Sequence, residues 1–402
     1  MVEIKKTESG YQLLRGGEPY TVRGAGMAVD DIQRFAAAGG NSIRNWNTMQ
    51  REQDTLTLLD KAHAHGVTVA LGLAMTPERH GFNYDDPDEV SAQLKIMRAE
   101  VLKYRSHPAV LMWVIGNELD HDYENPRVYN AVNEVAEMIR DLDPCHPTTT
   151  TTSGFKPDVN VEIAARAPAL DFISFQMYGG LFVFPEQLAA CGFEQPFMVT
   201  EWGTVGYWET QTTDWGAPIE LHSSDKADTF VRAHREILEP LQGQLIGSYA
   251  FYWGQKQERT PTWFGMLTED GNLTETVHAM QYVWTGEWPQ KRAPRVAAML
   301  LDGKSAGDSV TLLTRQTYEA VLDVRGADDG LTYRWELKHE STATTGGGDY
   351  EGPIPNLADY LADPTGDRTM LSTPAPGKYR LFAYASNEQG HVAHANIPFL
   401  VE

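Results

Sequence analysis

Trp113-Val114-Ile115-Gly116-Asn117-Glu118 is a short apolar run, rich in β-branched residues, that stops at a carboxylate. Such a run reads as a strand buried on both faces, as in a parallel sheet. A glutamate inside it would be an unpaired buried charge, which is expensive. At the strand's C-terminal mouth the same glutamate faces a cleft. Phe197-Met198-Val199-Thr200-Glu201-Trp202-Gly203 repeats the pattern. The spacing of Glu118 and Glu201 fits strands 4 and 7 of an eight-fold βα barrel, where functional groups sit at the C-terminal ends of different strands.

The flanking sequence supplies the other repeats. Strands are expected at Val22–Met27, Asn41–Trp46, Val67–Leu73, Val110–Ile115, Thr148–Thr152, Asp171–Gln176, Phe197–Thr200 and Ile246–Trp253. Helices are expected at Ile32–Ala38, Glu52–His65, Asp88–Tyr104, Pro126–Asp141, Pro185–Ala190, Asp225–Leu238 and Glu275–Trp284. Alternation of this kind predicts a parallel sheet, and eight strands in roughly 290 residues predict closure into a TIM barrel. Residues 3–22 read as a β-hairpin turning at Gly16-Gly17, ahead of the barrel.

Pro289 and Pro294 mark a linker. Beyond them the pattern is all-β, with strands at Ser309–Leu313, Tyr318–Val324, Thr332–Leu337, Gly377–Ala385 and His391–Leu400, and a flexible loop at Thr342–Gly348. About seven short strands in roughly 110 residues read as an immunoglobulin-like sandwich. The expected fold is therefore an α/β (β/α)8 barrel over residues 1–288, followed by a small β-sandwich over 289–402.

The chain has 402 residues and a formal charge of −22. An acidic surface repels phosphate backbones and anionic lipids, so nucleic acid and membrane surfaces are not expected partners. It also favours a neutral over a polyanionic substrate. No apolar stretch approaches the ~18 residues of a membrane helix. Two cysteines, Cys145 and Cys191, make no disulfide framework and have no metal-ligand spacing. Asp85-Asp86-Pro87-Asp88 lacks the spacing of a calcium loop and suits a helix N-terminus instead. No metal and no cofactor are expected. Met1–Lys6 is not a signal peptide. An exported location, with its signal outside this sequence, is the expectation, and a cytoplasmic one the alternative. Nothing in the sequence bears on oligomeric state.

Two facing carboxylates are the equipment of glycosidic bond cleavage. Glu118 is the candidate acid/base, and Asn117 beside it can hydrogen-bond a sugar hydroxyl next to the scissile bond. Read structurally instead, Glu118 caps a loop with His121 or Arg127. Glu201 is the candidate nucleophile, and its structural alternative is a pair with Arg44. That pair is compatible with catalysis, because a nearby guanidinium favours an ionised nucleophile while a less solvated partner stays protonated. A nucleophile and a separate acid/base imply retention of configuration, with a carboxyl separation of roughly 5–5.5 Å.

Five segments together resemble clan A glycoside hydrolases, and within them the family 2-like barrels without jelly-roll domains. They are Ser42-Ile43-Arg44, Trp113–Glu118, Gln176-Met177-Tyr178, Thr200-Glu201-Trp202-Gly203 and Ala250-Phe251-Tyr252-Trp253, with Asp143–Thr148 also typical. The resemblance covers about residues 10–288. It implies Glu118 as acid/base, Glu201 as nucleophile, Arg44 and Tyr178 as residues orienting Glu201, and Trp253 as the floor beneath the sugar undergoing cleavage. Barrel plus C-terminal sandwich also resembles family 158 endo-β-1,3-glucanases.

The loops at the barrel mouth offer further substrate-binding candidates. They are Trp46, His80 within Glu78–Tyr84, Trp202, Trp208, Gln257 and Trp263, with Trp215 nearby. Sugar rings present apolar faces that stack on indoles. Glu258 reads as a binding or structural residue. The expectation is a retaining hydrolase of a neutral β-glucan, first an endo-β-1,3-glucanase acting on an oligo- or polysaccharide. The alternatives are an exo-acting glycosidase or transglycosylase, and a non-catalytic carbohydrate-binding protein.

Overall fold

A computed structural model describes residues 1–28, 31–49, 54–326, 330–346 and 348–402. Eight parallel strands close into a barrel. In chain order they are Gly24–Met27, Ser42–Arg44, Thr68–Leu73, Val110–Ile115, Thr148–Ser153, Phe172–Met177, Phe197–Trp202 and Leu245–Trp253. The eighth returns to the first, with Tyr249 beside Gly24. The fourth strand, Val-Leu-Met-Trp-Val-Ile, is buried along its whole length, which explains its unbroken apolar sequence.

The fifth strand solves a different problem. Its five threonines are buried, so their hydroxyls need partners. Thr149 pairs with Ser174 at 2.9 Å, and Thr150 donates to the carbonyl of Ile115 at 2.7 Å. β-Branching suits the strand, and the hydroxyls tie it to both neighbours.

The helices follow the expected alternation at Ile32–Ala37, Thr55–Ala64, Pro87–Tyr104, Val128–Leu142, Phe184–Cys191, Ser223–Ala233 and Glu275–Thr285. The expected start of the second at Glu52 lies outside the described residues. Asp54 caps the described part by accepting from Thr57 N. The helix expected to reach Leu238 is α-helical to Ala233 and continues as a π-helix over His234–Leu238. Pro157–Arg166 is a helix that the periodicity misses. It buries only Val159, Asn160 and Ile163, too thin a stripe to read. Its start signal, Pro157-Asp158, was present.

The N-terminus corrects the single hairpin. Val2–Thr7, Gly10–Arg15 and Glu18–Pro19 form a three-stranded antiparallel sheet, with one turn at Glu8-Ser9 and a second at Gly16-Gly17. Val2 and Leu13 join a buried cluster with Leu111, Val114, Met198 and Tyr249 of the barrel strands. The sheet thereby contributes to the barrel's core, while the chemistry is left to the strands' C-terminal ends.

The chain divides into two compact units. One comprises Met1–Trp202 and Ala233–Trp253, and holds all eight barrel strands and both glutamates. The other comprises Gly203–Arg232 and Gly254–Glu402. The loops after strands 7 and 8 thus group with the C-terminal sheets, and the division does not fall at Trp288. Within the second unit, one sheet runs Arg295–Leu301, Thr317–Arg325, Arg368–Ser372, Leu361–Ala362. The other runs Leu273–Thr274, His391–Val401, Gly377–Ser386, Thr332–His339, with Thr311–Leu312 also paired to His391–Val401. Both sheets contribute to one core that includes Leu322, Trp335, Leu381 and Phe399. Arg295–Leu301 and Arg368–Ser372 are strands the sequence reading missed. No helix or strand occurs over 341–346, in keeping with the expected loop, and Gly347 lies outside the described residues.

Candidate active site

The fourth barrel strand ends at Ile115, and the chain then turns to present Glu118. Gly116 has φ 72° and Glu118 has φ 46°, both left-handed. A Cβ on Gly116 would come within 2.5 Å of Leu119, so only glycine fits there. A glutamate in this region costs on the order of 1–3 kcal/mol, which the surroundings must impose. The Glu118 N–H donates to the Thr151 carbonyl at 3.1 Å, and its own carbonyl accepts from His121 N at 3.0 Å. This left-handed turn places Glu118 just beyond the C-terminal end of the fourth strand.

Glu201 lies inside the seventh strand, one residue before its end. Pairing with both neighbouring strands shifts register between Val199 and Trp202, and such irregularities re-aim side chains at barrel rims. The carboxylate then meets three donors. Oε1 accepts from Arg44 Nη1 at 2.5 Å and from Trp46 Nε1 at 2.7 Å. Oε2 accepts from the Tyr178 hydroxyl at 2.8 Å. The pair expected between Glu201 and Arg44 therefore exists, deep in the protein, and Arg44 is 0% exposed. Arg44 Nη2 continues to Asn117 Oδ1 at 2.6 Å. The guanidinium thus bridges the segments that carry the two glutamates.

Trp46 reaches Glu201 because two strands give way to it. A Cβ at Gly26 would lie 2.7 Å from the indole, and one at Gly72 would lie 2.4 Å from the Trp46 backbone. The Arg44 guanidinium sits 5.2 Å from the Trp46 ring centroid. Gly26→Ala should therefore push the indole off Glu201 and lower kcat by about 10²-fold, the usual size for one lost donor in such a site. Trp46→Phe, which keeps the ring and removes the N–H, should lose a similar factor with an unchanged melting temperature. An active Gly26→Ala enzyme would show that the indole donor is dispensable.

The two carboxyls are electrostatically unlike. Burial pushes the Glu118 carboxyl up to about 8, and the charges of Glu201 and Asp120 push in the same direction against Arg44 and Arg79. Asp120 is itself buried, accepting from Ser153 N and Oγ at 2.9 Å each and from Lys156 Nζ at 2.8 Å. Near neutral pH Glu118 carries its proton, while Glu201 is ion-paired. Separated environments of this kind divide an acid from a nucleophile.

Of the expected site residues, Glu118, Glu201, Arg44, Trp46, Asn117 and Tyr178 come together. Two barrel-strand tryptophans do not serve as expected. Trp253 is 0% exposed, its indole N–H given to Asp31 at 2.8 Å and its ring edge-on to Phe35. It is a core residue and offers no face to a sugar. Of that strand, Phe251 meets the site edge-on to Tyr178 and Trp46, and Tyr252 lies tilted against Trp46. Trp202 is 1% exposed and likewise cannot stack on substrate. His80 is exposed on the short 3-10 turn Glu78–His80. Its neighbour Arg79 is the one whose charge acts on Glu118.

Within the second unit, Trp263 is 2% exposed and donates its N–H to the Val205 carbonyl at 3.0 Å, so it too is packing. Trp208 is 55% exposed, against Tyr207 and Phe264. Gln257 is half-buried, and its Nε2 has no partner among the described residues. Glu258 pairs with Lys256 at 2.7 Å, a structural role. Asp86 caps the third helix, accepting from Asp88 N and Glu89 N.

Four residues of the site were not singled out from sequence: Arg79, Asp120, Thr151 and Gln176. Each lay in or beside a quoted segment. Asp120 follows Glu118 by two, and Gln176 opens the Gln-Met-Tyr run.

Residues 28–207, which hold both glutamates, match the family description "Glycosyl hydrolases family 2, TIM barrel domain". The chain is 23% identical over 337 residues to a β-glucuronidase of Pongo abelii, covering 74% of this chain and 45% of that protein. In structure it resembles a β-glucuronidase of Bacteroides uniformis (TM-score 0.54, 14% identity, 100% of this chain and 48% of that one). It also resembles a putative β-galactosidase of Bacteroides fragilis (TM-score 0.52, 14% identity, 100% and 58%). The chain spans about half the length of the curated relatives it matches. Residues 28–207, which carry the pair of glutamates within the closed barrel, are thus similar to the TIM-barrel domain of glycosyl hydrolase family 2.

Proposed function

We propose that the chain is a retaining β-glycosidase. Glu201 attacks the anomeric carbon while Glu118 gives its proton to the departing oxygen. The resulting glycosyl ester on Glu201 is then opened by water, which loses a proton to Glu118. The observation that carries this is the contrast within one site. Glu201 is gripped by Arg44, Trp46 and Tyr178, whereas burial holds Glu118 protonated to about pH 8. Asn117 turns its oxygen toward Arg44, and its amide N–H, without a protein partner among the described residues, can donate to a sugar hydroxyl beside the scissile bond. A non-catalytic binding protein has no use for this division between the two carboxyls.

Action on a terminal sugar is favoured over cleavage within a glucan. Trp263, one of the aromatics expected to line a polymer's subsites, is a core residue. Trp46 is the indole that reaches the nucleophile. The relatives are named as β-glucuronidases and a putative β-galactosidase, and none is named as an endo-β-1,3-glucanase. The charge of −22 argues for a neutral sugar. With the two-residue strands Leu273–Thr274 and Thr311–Leu312 set aside and the equally short Leu361–Ala362 counted as the fourth, the C-terminal strands are ordered first-second-fifth-fourth and third-sixth-seventh, which supports a constant-type immunoglobulin-like module. We assign it a supporting rather than a substrate-binding role.

A panel of aryl β-glucoside, β-galactoside, β-mannoside and β-glucuronide, run beside laminarin and mixed-linkage glucan, tests this. A neutral aryl glycoside should be cleaved fastest. Random internal cleavage of laminarin at a higher rate would restore the endo reading. Preference for the glucuronide would overturn the neutral-sugar assignment.

A further inference from the structure

We propose that Gln176, on the sixth barrel strand, is a positioning residue that holds Asn117 as a donor to the substrate and so makes the site selective for a hydroxyl next to the anomeric carbon. The proposal rests on the glycosidase reading above.

The argument starts from a group whose role is fixed. A guanidinium only donates. Arg44 Nη2 lies 2.6 Å from Asn117, so the Asn117 oxygen must face it. Gln176 approaches that same oxygen at 2.8 Å and must therefore present its NH2 group. The same nitrogen reaches Thr151 Oγ1 at 3.3 Å, and this hydroxyl oxygen also lies 3.4 Å from the Glu118 N–H. A continuous chain results, from Arg44 through Asn117, Gln176 and Thr151 to the backbone of Glu118. It ties together the ends of barrel strands 2, 4, 5 and 6.

The orientation has a visible cost. With its nitrogen committed, Gln176 turns its Oε1 into the protein, where it is buried without a partner among the described residues. A buried acceptor left unpaired is destabilising. Flipping the amide would not relieve this cheaply, since it would face one oxygen with another at Asn117. This arrangement leaves the Asn117 N–H2 without a protein partner among the described residues, and Asn117 is only partly buried. Gln176 spends its own hydrogen-bonding capacity to fix where that donor points.

The test compares an aryl β-glycoside with its 2-deoxy counterpart, for wild type, Asn117→Ala and Gln176→Met. Methionine matches glutamine in length and cannot donate. Gln176→Met should lower kcat/KM on the hydroxyl-bearing substrate by about 10²-fold, the scale of a misplaced positioning group, and should leave the 2-deoxy substrate within threefold. The double variant should be no slower than Asn117→Ala alone. Equal slowing on both substrates, or no slowing on either, overturns the assignment. A crystal structure of Gln176→Met gives a readout without turnover: Asn117 should leave its Arg44-bound rotamer, and an unmoved Asn117 overturns the proposal. Should wild type cleave no β-glycoside, the glycosidase reading fails, and that structure still decides the role of Gln176.

Discussion

Glu201→Ala should lose on the order of 10⁵-fold in turnover, as enzymes do when a covalent nucleophile is removed. Added azide should restore a substantial part of it. The physical reason lies in what the substitution leaves behind. Arg44 Nη1, Trp46 Nε1 and the Tyr178 hydroxyl all point at the vacated volume. Three donors, one of them charged and wholly buried, form a ready anion site. Azide held there sits on the face from which Glu201 would have attacked. Glu118 still protonates the leaving group, so the product should be a glycosyl azide of inverted, α configuration. A β-azide from this variant would mean that the roles of the two glutamates are exchanged. The variant also strands a buried guanidinium, at a cost of about 3–5 kcal/mol. Glu201→Gln keeps two polar atoms among the donors and should be equally inactive with less loss of melting temperature. Comparing the two separates lost chemistry from lost stability.

The barrel was legible because its evidence is periodic. Strand runs such as Val110–Ile115 are apolar throughout, and the parallel sheet that buries both faces requires this. The glutamates stood out as charged exceptions at the ends of such runs. Arg44 was legible as a partner of Glu201 from its place at the end of the second strand, whereas Tyr178 was legible only by resemblance, since nothing in Gln-Met-Tyr announces a partner more than twenty residues away.

What failed was exposure. A tryptophan at a strand end reads equally well as platform or packing, and for Trp253 the deciding contact is Asp31, far away in sequence. Trp263 is settled in the same way by the Val205 carbonyl. Phe251 shows the converse. It meets Tyr178 and Trp46, while Trp253, two residues on, serves the core. Strand pairing is irregular between Ala250 and Trp253, so simple alternation cannot assign those side chains. Asp120 and Gln176 were invisible for a related reason. Each acts through a neighbour, and such roles exist only in three dimensions.

Glu118→Ala should discriminate between leaving groups where Glu201→Ala does not. A dinitrophenolate departs without a proton, so its glycoside should form the glycosyl-enzyme at nearly the wild-type rate. An alkyl or sugar leaving group needs the proton, and should slow by about 10²–10⁴-fold. Azide should then trap the intermediate with net retention, giving the β-azide, opposite to the product from Glu201→Ala. The pH profile carries the same assignment. Burial and the charges of Glu201 and Asp120 raise the folded-state carboxyl from 4.5 to about 8. Its active, protonated form therefore persists across neutral pH, and kcat/KM should fall only as pH rises through about 8. That limb belongs to the coupled pair and not to one residue alone. Asp120→Asn removes one of the charges that raise it, so the limb should move to lower pH without disappearing. In Glu118→Ala it should disappear. Because the folded value lies above the unfolded one, the group stabilises the fold below pH 4.5 and loses that contribution as pH climbs through 8. Melting temperature should consequently decline over this interval in wild type and decline less in Glu118→Gln. A limb near pH 8 that survives intact in Glu118→Ala would place the acid elsewhere in the site.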